Sequence, residues 1–161
     1  MAVGVRLAVP FWFGRATKMK RVRQAVPLQP ARQSQRDFVR RRADHRCEYC
    51  LLRQEHSELT HHIEHIVAKQ HGGRDDVGNL ALACHRCNFR KGPNLTGVDP
   101  ISGELVPLFH PRRDRWAEHF LLRGVRIQGI TPVGRATVQV LAMNDARRLE
   151  LRSELQAHHQ L

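Results

Sequence analysis

Cys47-Glu48-Tyr49-Cys50, then His61-His62-Ile63-Glu64-His65-Ile66, then Gly72-Gly73, then Asn79-Leu80-Ala81-Leu82-Ala83-Cys84-His85-Arg86-Cys87-Asn88-Phe89-Arg90-Lys91-Gly92 form the stretch whose reading decides the fold. The four cysteines of the chain make two Cys-x-x-Cys pairs with 33 residues between Cys50 and Cys84. Two intervening residues let both thiolates of a pair turn toward one ion. Two such knuckles supply the four sulfurs of a closed, tetrahedral structural zinc site. Cys47, Cys50, Cys84 and Cys87 are the expected ligands, and no cysteine is left over as a catalytic thiol. Two disulfides and a redox pair are the competing readings. A chain without a secretion signal keeps its thiols reduced, and a redox pair needs only two cysteines and a βαβ context that is missing here. The gap exceeds the roughly 15–20 residues of a simple zinc ribbon, so a functional insertion is expected between the knuckles.

That insertion is rich in histidine: seven of the chain's eleven lie between residues 45 and 85. With Leu59 to Val67 as a strand, His61, Ile63 and His65 share one face and His62 and Glu64 the other. Gly72-Gly73 makes a turn, and Val77 to Ala83 returns as a second strand. Cys84 to Lys91 fits a short helix, on which residues three and four apart are neighbours. The expected order is strand, loop, strand, helix, with the metal pinning the helix start to the segment ahead of the first strand.

These residues resemble the HNH endonuclease family over about residues 46–92. The resemblance implies an α+β fold, the ββα-metal (treble-clef-like) finger, here with an added structural zinc. It also implies hydrolysis of a nucleic-acid phosphodiester, most often in DNA. By motif position, His65 is similar to the general base that activates water, and Glu64 to the acidic ligand of a catalytic divalent ion, Mg²⁺ or Mn²⁺. Asn88 is similar to the second ligand of that ion, and Asn79 to the residue that holds the loop and orients the base. Lys91, with Arg90, Lys69 and His71, is expected to contact phosphate. Ala68 stands where many members have proline. His62 and His71 are additional to the pattern, and His62 is placed to help hold the ion. The chemistry agrees: a neutral imidazole takes a proton from water near neutral pH, and a hard ion on oxygen ligands compensates phosphate charge without competing for the thiolates. A zinc-dependent nucleic-acid-binding module without cleavage is the alternative. It leaves a carboxylate beside the phosphates unexplained, since Glu64 repels them unless a cation covers it. A protein-interaction zinc finger explains the cysteines but not the His/Glu/Asn set.

Outward from this module, charge is uneven. The 161 residues carry 27 Lys/Arg against 15 Asp/Glu, a net of +12, and residues 1–46 hold 12 of the bases with only 2 acids. A basic excess of this kind suits a polyanion such as nucleic acid. Residues 1–34 read as a largely irregular basic arm, with Met19 as an alternative start. Residues 35–93 read as the nuclease module, opened by a helix over 35–44 with Ser34 as its cap. Residues 94–161 read as an extension. It has turns at Asp99-Pro100 and Gly103, strands over 116–122 and 125–130 joined at Arg123-Gly124, a helix over 132–143 after Thr131, and a last helix over 145–157 capped by Asn144. Its opening, Leu108-Phe109-His110-Pro111-Arg112, also resembles an extension of small bacterial HNH proteins. No stretch reaches the roughly 20 apolar residues of a membrane span, so a cytoplasmic location without membrane contact is expected, and no protein partner is identifiable.

Overall fold

The computed structural model describes residue 1 and residues 29–161; the greater part of the expected basic arm, with Met19, lies outside the described residues. Helix α1 (Gln29–Arg42) starts earlier than expected, so Ser34 is inside it rather than at its cap. Pro30 explains the early start, because the first turn of a helix needs no donor from proline.

Strands β1 (His62–His65) and β2 (Leu80–Ala83) pair antiparallel, with Ile63 opposite Leu82 and Glu64 opposite Ala81. Helix α2 (His85–Lys91) follows β2 without a break, so the strand–strand–helix order is realised. The strands are shorter than expected. The flanking residues bend away, His61 because its backbone N–H and ring bond to Gln54 and to the Leu52 carbonyl. Every residue of β2 is buried, as a strand covered on both faces requires. On one side Val39 of α1 packs with Leu80 and Leu82, and the Arg42 guanidinium donates to the carbonyls of Val77 and Leu80 at 2.8 and 2.6 Å.

Strands β3 (Thr96–Val98) and β4 (Leu105–Pro107) form a second hairpin, turned by Gly103 at φ +76°. Trp116–His119 is a single helical turn, α3, and not the start of a strand. A short aromatic and apolar run does not distinguish the two by itself. Strands β5 (Phe120–Arg123) and β6 (Arg126–Gly129) pair around the expected turn. Helix α4 (Pro132–Val140) is capped by Thr131, whose hydroxyl accepts from the Gly134 N–H. Helix α5 (Ala146–Ala157) is capped by Asp145, not Asn144. The Asn144 amide is used elsewhere, pairing with both backbone groups of Ile127 on β6 at 3.0 and 2.7 Å.

One apolar cluster contains Cys47, Tyr49 and Cys87 together with Leu108, Phe109, Phe120 and Met143. The core therefore runs across residue 93. The Trp116 indole adds a hydrogen bond to the Tyr49 carbonyl at 2.9 Å, tying the C-terminal segment to the first knuckle. Among the described residues, no helix is long and apolar enough to cross a membrane.

Candidate active site and metal centre

The two knuckles meet. The ligand atoms of Cys47, Cys50, Cys84 and Cys87 lie within 4.8 Å of one another, and all four residues are buried. A tetrahedron with metal–sulfur bonds near 2.3 Å has edges of about 3.8 Å. The Cys50 and Cys84 sulfurs are 3.8 Å apart. The four thiols therefore fit a single ion of zinc's size and geometry. Burial pushes the Cys47 and Cys87 thiols up, while hydrogen bonds from the neighbouring thiols pull Cys50 down. An ion entering this set displaces protons from it. Local geometry explains why α2 begins here, since the Cys84 side chain caps the helix by accepting from the Cys87 N–H.

A residue far away in sequence completes this centre. Arg148, buried on α5, points its guanidinium at the Cys87 and Cys84 sulfurs at 3.1 and 3.5 Å. Its burial alone lowers its pKa, but the neighbouring sulfurs outweigh this and the net shift is upward. A fixed cation donating to thiolates offsets the negative charge of four sulfurs around a divalent ion. The N-terminus of α5 is held in place by a second contact, Arg86 to Asp145 at 3.1 Å.

Beside α2 is a shallow open cleft, lined by Glu64, His65, Ala68, Lys69, Asn88 and Phe89 among others. Three expected site residues, Glu64, His65 and Asn88, thus reach one place. Asn79 does not line the cleft. Its amide accepts from the Val67 N–H at 2.9 Å and donates to the carbonyls of Val67 and Arg74, both at 3.0 Å. It fastens the loop after β1 to the start of β2, which fixes the strand that carries His65. Gly73 belongs to the same clamp: a Cβ there would sit 1.7 Å from the Val67 carbonyl oxygen.

His65 has a partner that sequence reading missed. Its Nε2 is 2.6 Å from Asp75 Oδ1. Asp75 also binds the Lys69 ammonium, and these two contacts, Lys69 first, hold its carboxyl down at about 2. An ionised carboxylate only accepts, so Nε2 is the donor and the lone pair of the neutral ring lies on Nδ1. The signal was present in Gly-Gly-Arg-Asp-Asp, a carboxylate on the turn that returns past His65.

Glu64 is more enclosed than a bare metal ligand. It is 6% exposed, accepts from the Tyr49 hydroxyl, and lies 3.3 Å from the Lys91 ammonium. Burial pushes its carboxyl up; Lys91 and Tyr49 oppose that. Lys91 itself is 2% exposed and also donates to the carbonyls of His65 and Gly92 at 3.2 and 3.4 Å. The expected phosphate contact by Lys91 is corrected here: its ammonium is spent inside the protein, bracing Glu64 and the end of β1. Lys69 lines the cleft but is paired with Asp75. Arg90 and His71 are exposed, and neither lines the cleft. His62 is also outside the cleft. It is exposed and turns toward α2, its Nε2 3.4 Å from His85 Nδ1.

Residues 47–94 match the family model described as HNH endonuclease. Among curated proteins the chain is 28% identical over 109 residues to the Septu protein PtuB of Bacillus thuringiensis, an alignment covering 66% of this chain and 40% of that protein. The chain thus spans well under half the length of that relative. No solved structure matches it.

Proposed function

We propose that this protein is a metal-dependent endonuclease that hydrolyses phosphodiester bonds of nucleic acid, with DNA as the substrate. The observation that carries this reading is the convergence of Glu64, His65 and Asn88 on one open cleft. The buried thiol set stands at the start of the same helix, where a structural Zn²⁺ on Cys47, Cys50, Cys84 and Cys87 would brace it. His65 is the general base. Asp75 takes its Nε2–H, so Nδ1 faces the proton of an attacking water. Glu64 and Asn88 offer oxygen ligands for Mg²⁺ or Mn²⁺, which when bound supplies charge compensation at the phosphate and the leaving oxygen. Both Glu64 oxygens retain a further lone pair beside the Tyr49 and Lys91 contacts. Asn79 keeps the base-bearing strand in register. Arg90 and His71 are placed to meet phosphates outside the cleft, and residues 94–161 buttress the module through Trp116 and Arg148.

The enclosed Glu64 also favours a second reading, a zinc-stabilised nucleic-acid-binding module in which the Tyr49–Glu64–Lys91 cluster is purely structural. A plasmid-nicking assay decides between them. Wild type and His65→Ala are compared in Mg²⁺, Mn²⁺ and chelator, with bound zinc quantified. Metal-dependent relaxation of supercoiled plasmid that disappears in His65→Ala supports the enzyme. Salt-sensitive plasmid binding without cleavage in any metal supports the binder.

A further inference from the structure

Phe89 has no core to fill. It sits on the outer side of α2 with 74% of its surface exposed. Its ring is stacked on His85, with planes 13° apart and centroids at 6.4 Å, and His85 in turn contacts His62 at 5.6 Å. His62 is tilted by 46° to His85, so the stacked pair is His85 and Phe89, and all three rings are exposed. Phe89 also lines two depressions at once. One is the cleft of Glu64, His65 and Asn88. The other is a groove of about 780 Å³ walled by leucines and by charged residues of both signs, in which arginines such as Arg90 and Arg147 outnumber Glu58, Asp145, Glu150 and Glu154. Arg90 and Arg147 are exposed and have no ion pair among the described residues.

An exposed aromatic ring between a cationic groove and a phosphate-cleaving cleft suits a particular ligand. Backbone phosphates are held by arginines, while a π-face takes an unstacked base whatever its identity. In a paired duplex the base faces are already covered by their neighbours, so the ring has nothing to stack on. We propose that Phe89, backed by His85, is a base-stacking platform, and that the preferred substrate has unpaired nucleotides next to the scissile phosphate, the strand crossing α2 from the arginine groove into the cleft. This rests on the reading of the domain as acting on nucleic acid and narrows its substrate class to single-stranded or locally unpaired nucleic acid.

The test measures binding without added Mg²⁺ or Mn²⁺, so that no turnover interferes. The probes are a 12-nucleotide DNA single strand carrying 2-aminopurine at successive positions, its RNA counterpart, and the matching DNA duplex. Wild type is compared with Phe89→Ala and Phe89→Trp; the exposure of Phe89 leaves folding intact in both, checked by thermal melting. The expected result is tighter binding of the single strand than of the duplex, with 2-aminopurine quenched at one position. Phe89→Ala loses that quenching and roughly 5- to 150-fold in affinity, the range for one stacked base, and Phe89→Trp keeps both. Comparison of the DNA and RNA strands identifies which sugar the platform accepts. Unchanged single-strand affinity in Phe89→Ala, or a preference for duplex, overturns the platform. If plasmid is relaxed in Mg²⁺ or Mn²⁺ while Phe89→Ala binds single strand like wild type, the nuclease reading stands and only the platform falls; if no probe binds and no plasmid is relaxed, both fall.

Discussion

The two sites that α2 joins are of opposite kinds. At one, four buried thiols close on each other within 4.8 Å, with Arg148 against their sulfurs. A single tetrahedral ion there has all four of its positions filled by sulfur. At the other the cleft is open, its donors are nitrogen and oxygen, and the His65 ring is held by a single exposed carboxylate. Soft, saturated and buried ligands suit an ion that holds a fold; hard, unsaturated and accessible ones suit an ion that meets phosphate. The helix between them converts the stability of the first into the placement of the second, because Cys84 and Cys87 fix its start and Asn88 follows on the next residue.

The largest effect that can break this comparison is loss of the thiol site. Cys84→Ser is expected to unfold the module, since binding at a structural zinc site is worth about 10–16 kcal/mol of apparent free energy. Loss of the far-UV signal and of a cooperative melt is the outcome to look for, and a chelator should reproduce it in wild type. A Cys84→Ser protein that melts like wild type would remove the structural role. Next in size is His65→Ala. It should lower the cleavage rate by roughly 10²- to 10⁴-fold, the contribution of a general base, while zinc content and melting temperature stay at the wild-type values. A joint fall in rate and zinc content would mean the two sites are not separable.

Arg148→Met sharpens the division further. It removes the charge opposite the thiolates but keeps much of the buried volume. Zinc affinity should fall on the order of 10- to 100-fold, as for other outer partners of metal ligands, measured by competition with a chromophoric chelator. At saturating zinc the cleavage rate should match wild type. Unchanged zinc affinity would reduce Arg148 to a packing residue.

How much of each site was legible in the sequence follows the same division. The four cysteines could be read because a Cys-x-x-Cys spacing makes its geometry locally. Asn79 was legible for a related reason: its partners are the backbone of the loop just ahead of it, so its position in the motif implies its contacts. Arg148 was not, because it meets Cys84 and Cys87 from a helix more than sixty residues away, and no periodicity marks one arginine of α5 as inward-facing. Lys91 was read in the wrong environment for a physical reason. A lysine at the end of a basic helix is normally solvated, and only the three-dimensional arrival of Glu64 and two carbonyls makes burial affordable. In the C-terminal segment the turns and the Thr131 cap were legible because Gly, Pro and Thr act locally. The cap of α5 was displaced by one residue because Asn144 is claimed by β6.

Asp75 gives the smallest effect and the finest test of the cleft. In the proposed mechanism it is a positioning residue, because it touches the His65 ring and not the phosphate. With Asp75 ionised, the His65 proton is on Nε2 and the accepting lone pair is on Nδ1; Asp75→Ala frees the ring to take the other tautomer and to rotate. Misplacing a catalytic group by about an ångström costs up to about 100-fold, so the rate should fall by less than in His65→Ala. Because the carboxyl is held at about 2, the contact should persist through the whole pH range in which the protein is folded. Nitrogen chemical shifts of His65 should therefore report the Nε2–H tautomer whenever the ring is neutral, and a mixture of tautomers in Asp75→Ala. Wild-type rate with a changed tautomer would show that Asp75 holds Lys69 and the loop rather than the base, and would leave orientation of His65 to the Asn79 clamp alone.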